Sequence, residues 1–357
     1  MKGRLVALLE DPAWPAAAAC LDGGRLTDLL VDAPEGDPVP RLEAIYRARV
    51  TRRLDALGAV LLDMGDGGEG FLKGGKGLRP GESLLVQVAR YAEPGKGAPV
   101  TDEPLFKGRY AILTPHAPGV NVSRRIRDED EAARLRTVAS DALAEAGLTG
   151  EDAPGVIVRS FAEGVEADAV ADDVASLAGL WAEAREAPQT PGLVVAAPDA
   201  ETLAWREWVE PEPEQVLRGD ARLWEELGLW DAVEALFRPR VELPGGAWMS
   251  VEPTSALVAV DVNTGGDASP AAGLKANLAA AEALPRELRL RGLGGLVVVD
   301  PAPLSKRDRP KLETALKRAL KADAIDTQVA GWSPSGLLEL QRRRERRPLA
   351  QLLRRPD

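Results

Sequence analysis

The chain has 357 residues, enough for two or three domains with cores of their own. Hydrophobic residues make up 45% and charged residues 28%, as in an ordinary globular protein, and no apolar stretch reaches the roughly 20 residues that span a bilayer. A single cysteine, Cys20, rules out a disulfide within the chain and a Cys-rich zinc site, and a single histidine, His116, sits in a proline-flanked loop segment that reads as exposed.

Hydrolytic chemistry, if present, therefore has to rest on carboxylates and a metal. The segment from Met1 to Val6 lacks the architecture of a signal peptide, so a cytoplasmic location without membrane attachment is expected. The net charge of −11 argues against nonspecific polyanion binding, but it is unevenly spread. From Arg286 onward there are 17 Lys/Arg against 9 Asp/Glu. Arg286, Arg289 and Arg291 precede an apolar run, and Arg342 to Arg347 form a dense basic run. Arg354 and Arg355 read as a solvated helix face.

In chain order, Arg4–Leu9 and Arg25–Val31 read as strands separated by a Pro/Ala-rich break and a Gly23-Gly24 turn. Three prolines between Pro34 and Pro40 mark a linker. Short strands around Ala44–Arg52, Ala59–Gly65, Gly70–Lys73, Leu84–Val88 and Arg109–Leu113, separated by glycine turns, suggest a small barrel. Phe71, flanked by Lys73 and Lys76, is either a base-stacking aromatic on that barrel or part of its core. Helices are expected over Asp128–Gly147 and Val165–Arg185, with a strand at Val156–Ser160. A strand at Leu193–Ala196 leads to helices over Glu201–Trp208 and Leu223–Phe237, whose tryptophans read as core. Val241–Gly246 signals a hairpin, and Pro270–Leu290 and Arg309–Ala322 read as helices.

The most informative feature lies in this last third. The apolar run Leu257–Val260 ends on Asp261, and 39 positions later Leu293–Val299 ends on Asp300. Each reads as a buried strand with a carboxylate at its tip, where ligands of open α/β sheets sit. Taken singly, either aspartate is as readily a turn former or helix cap. Together with Asn263 they form a set of hard oxygen ligands of the kind Mg²⁺ takes. No Walker or Rossmann glycine fingerprint precedes a helix.

These residues resemble the bacterial RNase E/G endoribonucleases. The likeness runs through Ile45–Leu54, Leu62–Gly65, Gly95–Ala98, Val122–Ile126 and Ile157–Val165, and is densest over Glu252–Gly265 and Leu288–Asp300. It implies an α/β multidomain chain: an RNase H-like subdomain (residues 1–40 and 188–240) interrupted by an OB-fold RNA-binding barrel (41–110) and a 5′-sensor subdomain (111–187), then a DNase I-like catalytic subdomain (241–357). It further implies Asp261 and Asp300 as metal ligands supported by Asn263. Arg159 and Ser160 would hold the 5′-monophosphate of the RNA, with Arg124 and Ile112 nearby, and Phe71 and Lys96 would contact RNA on the barrel. Arg289 and Arg291 either offset phosphate charge or pair with acidic side chains.

Several positions depart from the family pattern. Leu61 stands where a second stacking aromatic is usual, the barrel is shortened after Phe71, and the loop after Gly266 is short. Asp300 is followed by Pro301-Ala302-Pro303, so the strand exit is rebuilt. The sequence ends at Asp357 without a Cys-Pro-x-Cys link, so no zinc and a monomer or dimer rather than a tetramer are expected. The implied function is a Mg²⁺-dependent (Mn²⁺ as substitute) endoribonuclease for single-stranded RNA in rRNA or mRNA processing or decay, stimulated by a 5′-monophosphate. The competing reading is a degenerate, non-cleaving RNA-binding relative associated with rRNA or ribosomes.

Overall fold

A computed structural model describes residues 3–93, 95–150 and 153–353, so Arg354 and Arg355 lie outside the described residues. The chain divides into two units, Met1–Pro34 with Pro213–Asp357, and Glu35–Glu212. Within both, α-helices and β-sheets are mixed.

The first unit holds two sheets. The smaller has the strand order Gln215–Gly219, Arg4–Leu9, Ala17–Asp22, Arg25–Val31, with the first pair parallel and the rest antiparallel. Ala17–Asp22 falls in the segment expected to be a break. Its alanine run carries little strand propensity, yet Ala17 to Leu21 are all buried, so tertiary packing decides. Helices Ala221–Glu226 and Leu229–Leu236 replace the single helix expected there. The interruption is Gly228 at φ 66°, a backbone conformation glycine adopts freely. They bury Trp224 and Val233 against Leu5, Ala7 and Leu9.

The larger sheet runs Arg240–Glu242, Trp248–Pro253, Val258–Asn263, Gly295–Asp300, Leu338–Arg342, Thr327–Trp332. Its central pair is parallel and its other pairs antiparallel. Alternation decides the faces. Val258, Val260, Val262, Val297 and Val299 are buried in one core with Ala276, Ala280, Leu284 and Leu288 of helix Ala272–Leu290 and with Leu312, Leu316 and Leu320 of helix Arg309–Ala322. Each such valine or leucine contributes about 1.5–3 kcal/mol. Alanines on the first helix let it approach the sheet closely. Ala259, Asp261 and Asn263 alternate with the valines and so take the opposite face.

The second unit contains a closed five-stranded, OB-like barrel: Ile45–Leu54, Ala59–Asp63, Glu69–Lys73, Ala98–Thr101 and Ser83–Val88, the last pairing back to the first. Tyr46, Val60, Leu62, Leu72 and Val86 fill it. The strand Ala98–Thr101 supplies closure. The Ala111–Thr114 strand belongs instead to a second sheet, ordered Val120–Val122, Gly155–Val158, Ala111–Thr114, Phe106–Lys107. Helices Glu129–Glu145 and Ala167–Glu186 cover one side of it through Leu135, Ala139, Val170 and Val174. Asp128 caps the first by accepting from the Asp130 and Glu131 amides. Asp173 on the second accepts from the amides of Arg109, Tyr110 and Ala111, fixing the turn into the sheet. Of the helix tryptophans expected in the core, Trp208 is buried, but Trp205 is 41% exposed beneath the Arg109 guanidinium.

No helix among the described residues is long and apolar enough to cross a membrane.

Candidate functional site

The parallel register sets Asp261 directly opposite Asp300, and strands so paired lie about 4.8 Å apart. Both carboxylates are exposed, on the face opposite the helices. Asn263, two residues on and hence on the same side, donates its amide to Asp261 Oδ2 at 2.6 Å. The antiparallel neighbour contributes Ser250 opposite Asp261 and Trp248 opposite Asn263.

The proline-rich exit after Asp300 is held by the crossover helix. Asn277, 1% exposed, donates to the Ala302 carbonyl at 2.9 Å and accepts from the Ala302 amide at 2.9 Å. Gly273, one turn earlier, permits close approach, since a Cβ there would overlap the Pro303 carbonyl oxygen. Sequence reasoning passed over Asn277. Its signal is a lone amide at a buried position of an Ala/Leu helix, where an unpaired polar group would be costly.

Among the described residues, no group of three or more His, Cys, Asp or Glu side chains could hold a metal. Two exposed carboxylates beside an amide nevertheless fit Mg²⁺ or Mn²⁺, which bind through one or two carboxylates and complete their shells with water and phosphate oxygens.

Of the two readings left open for Arg289 and Arg291, the contacts favour the structural one. Arg289 donates to the Thr27 carbonyl and pairs with Asp28 and Asp323. Arg291 donates to the carbonyls of Leu236 and Arg238 and pairs with Glu287. The reason is topological. A strand–helix–strand crossover returns the helix to the start of the second strand, so these arginines adjoin Gly295, roughly 16 Å along the strand from Asp300. The basic run behaves likewise: buried Arg342 pairs with Asp323, and Arg346 with Asp28. Burial lowers the Arg342 pKa to about 10.

The remaining candidates lie in the second unit. Arg159 and Ser160 follow strand Gly155–Val158. Arg159 donates to the carbonyls of Gly108 at 2.7 Å and Arg206 at 3.5 Å, pairs with Glu207 at 3.4 Å, and lies 5.0 Å from the Phe161 ring centroid. Behind it, Arg206 is buried and bridges Glu207 and Glu43, and Glu43 stands at φ 72°. Burial alone would raise the Glu43 carboxyl, but Arg206 and Lys107 outweigh it and hold it below its ordinary range. The Ser160 hydroxyl has no partner among the described residues. Ile112 pairs with Ile157, which is 39% exposed on the sheet's outer side, and Arg124 is exposed just beyond strand Val120–Val122. On the barrel, Phe71 is half-buried, outside the packed interior, and directly opposite Leu61 and Pro99. Lys96 is exposed and pairs with Glu93 at 2.5 Å.

An OB-like barrel together with a sheet whose parallel central strands end on paired aspartates describes a mixed α/β protein with a polar, metal-compatible edge. A family model described as the Ribonuclease E/G family matches residues 106–227 and 204–345, more than half of the sequence. The chain belongs to that family. It is 27% identical to Ribonuclease G of Salmonella typhimurium over 395 residues, covering 94% of this chain and 79% of that protein. It is 30% identical to Ribonuclease E of Synechocystis over 318 residues, covering 78% of this chain and 46% of that protein. Ribonuclease E of Haemophilus influenzae is 28% identical over 384 residues, 91% and 40% of the two chains.

Proposed function

We propose that this protein is an endoribonuclease that cleaves single-stranded RNA at the Asp261–Asp300 edge, in the cytoplasm, during RNA processing or decay. The observation that carries the reading is the register of two exposed aspartates with Asn263 bonded to the first. Asp261 and Asp300 would hold a divalent ion, Mg²⁺ by preference, which when bound neutralises phosphate charge and makes a water nucleophilic. Asn263 fixes the rotamer of Asp261, so that carboxylate meets its ligand without first losing side-chain freedom. Asn277 keeps the Asp300 backbone in place. The open sheet face admits a single strand lying across both strand ends.

In the same reading, the second unit grips and reads the RNA. Phe71 stacks a base on the barrel wall, and Lys96 adds backbone charge. Arg159 and Ser160, with Arg124 and Ile112 at the rim, take the 5′-monophosphate: a guanidinium and a free hydroxyl are the donors a phosphate needs. We assign residues 1–40 and 188–240 to an RNase H-like subdomain, 41–110 to the OB-fold barrel, 111–187 to the 5′-sensor and 241–357 to a DNase I-like subdomain.

The test is a labelled single-stranded RNA, supplied with a 5′-monophosphate or a 5′-hydroxyl, in Mg²⁺, Mn²⁺ or chelator. Cleavage is expected with either metal, faster on the monophosphate, and absent in chelator. The second reading, a non-cleaving RNA-binding relative, draws on Leu61 in place of an aromatic. Binding without cleavage under every condition would establish it.

A further inference from the structure

Trp248 stands on the same open face as the two aspartates, opposite Asn263 and two register pairs from Asp261, roughly 7 Å along the strand direction. It is partly buried and does not join the apolar cluster that packs the helices against this sheet. Its ring partner is Arg240 on the edge strand, whose guanidinium carbon lies 4.6 Å from the ring centroid. Arg240 is held in turn by Glu242 at 2.5 Å, so its charge is balanced locally. The indole N–H has no partner among the described residues. What the arrangement does offer is a flat, braced aromatic surface beside a phosphodiester site.

We propose that Trp248 is a stacking platform for one nucleobase of single-stranded RNA, the base that flanks the linkage lying over Asp261 and Asp300. The proposal rests on the nuclease reading of that edge. Because Arg240 is already paired with Glu242, the platform recognises the base rather than its phosphate. Stacking tolerates any base, so the contribution is to affinity and register, with purines held more firmly for their larger ring.

The test separates binding from cleavage. In an Asp300→Asn background, equilibrium binding of a short labelled single-stranded RNA is measured with Trp248, Trp248→Phe and Trp248→Ala, using intact RNA and a series with one abasic nucleotide moved along the strand. Trp248→Ala is expected to weaken binding roughly tenfold and Trp248→Phe much less. One abasic position should weaken binding to the Trp248 form by a similar factor and have no effect on the Trp248→Ala form. Thermal unfolding of the three forms should coincide. Equal binding by Trp248 and Trp248→Ala, or an abasic profile that the substitution leaves unchanged, overturns the platform even if the unmodified protein cleaves RNA. The converse result, a Trp248-dependent abasic position in a protein that never cleaves RNA, upholds the platform and removes the nuclease reading instead.

Discussion

Replacing Asn277 with alanine removes both hydrogen bonds that hold Ala302 two residues after Asp300. The Ala302 amide and carbonyl would then be left without partners in a region where Ala302 itself is 2% exposed. A buried unsatisfied group costs about 1–3 kcal/mol, so the pair together with the small cavity amounts to about 3 kcal/mol. In a unit of this size, that lowers the melting temperature by roughly 6–12 °C. Function should fall further than stability. A misplacement of about 1 Å in a reacting group costs on the order of a hundredfold. The assay is thermal unfolding by circular dichroism, together with RNA cleavage measured well below the lowered transition. Lys275→Ala, on the exposed side of the same helix turn, is the control and should change neither. If Asn277→Ala melts within about 2 °C of the parent and cleaves at the parent rate, the exit is not held by this clamp.

Asp261→Asn and Asp300→Asn should each abolish cleavage while preserving the fold and RNA binding; full activity in Asp300→Asn would refute the site. Arg159→Gln should leave cleavage of 5′-hydroxyl RNA intact and remove most of the advantage of the 5′-monophosphate, read from the ratio of initial rates on the two substrates. Phe71→Ala should weaken RNA binding by about 1–3 kcal/mol with little change in melting temperature, because the ring lies outside the barrel core. Burial alone would raise the Asp28 carboxyl, but Arg346 and Arg289 outweigh it and hold it below its ordinary 3.8. Its contribution is thus fully present above about pH 4 and lost as the pH falls through the depressed folded value. Asp28→Asn should destabilise the unit by about 3–5 kcal/mol at neutral pH and flatten the acid limb of a stability–pH curve.

The parts of this molecule legible in its sequence are those governed by local periodicity. The valines around Asp261 and Asp300 announce strands and a buried side, and the intervening Ala/Leu segment announces the crossover helix. Two kinds of information were hidden. Strands Gln215–Gly219 and Leu338–Arg342 lack the β-branched alternation that marks a strand, Thr327–Trp332 carries it only at Thr327 and Val329, and long-range partners define all three. Charge was misleading for a similar reason. Arg289 and Arg291 are close to Asp300 along the chain, but the crossover carries them to the other end of the strand, where Asp28, Glu287 and Asp323 take up their charges. At the candidate site, Asp261, Asn263 and Asp300 could be read from spacing. Asn277 could not, because its significance depends on a backbone segment 25 residues away.

The parallel pairing of Arg4–Leu9 with Gln215–Gly219 has a consequence for biosynthesis. The opening three strands emerge from the ribosome long before their fourth partner, and all of Glu35–Glu212 is made in the interval. At about 5–20 residues per second, the first strand waits on the order of 10–40 s with one edge unpaired. The intervening unit thus has its whole sequence available first, and the sheet holding Arg4–Leu9 is completed only after Gln215–Gly219 is made. A nascent chain arrested just before Gln215 should display a folded barrel and three N-terminal strands still open to protease.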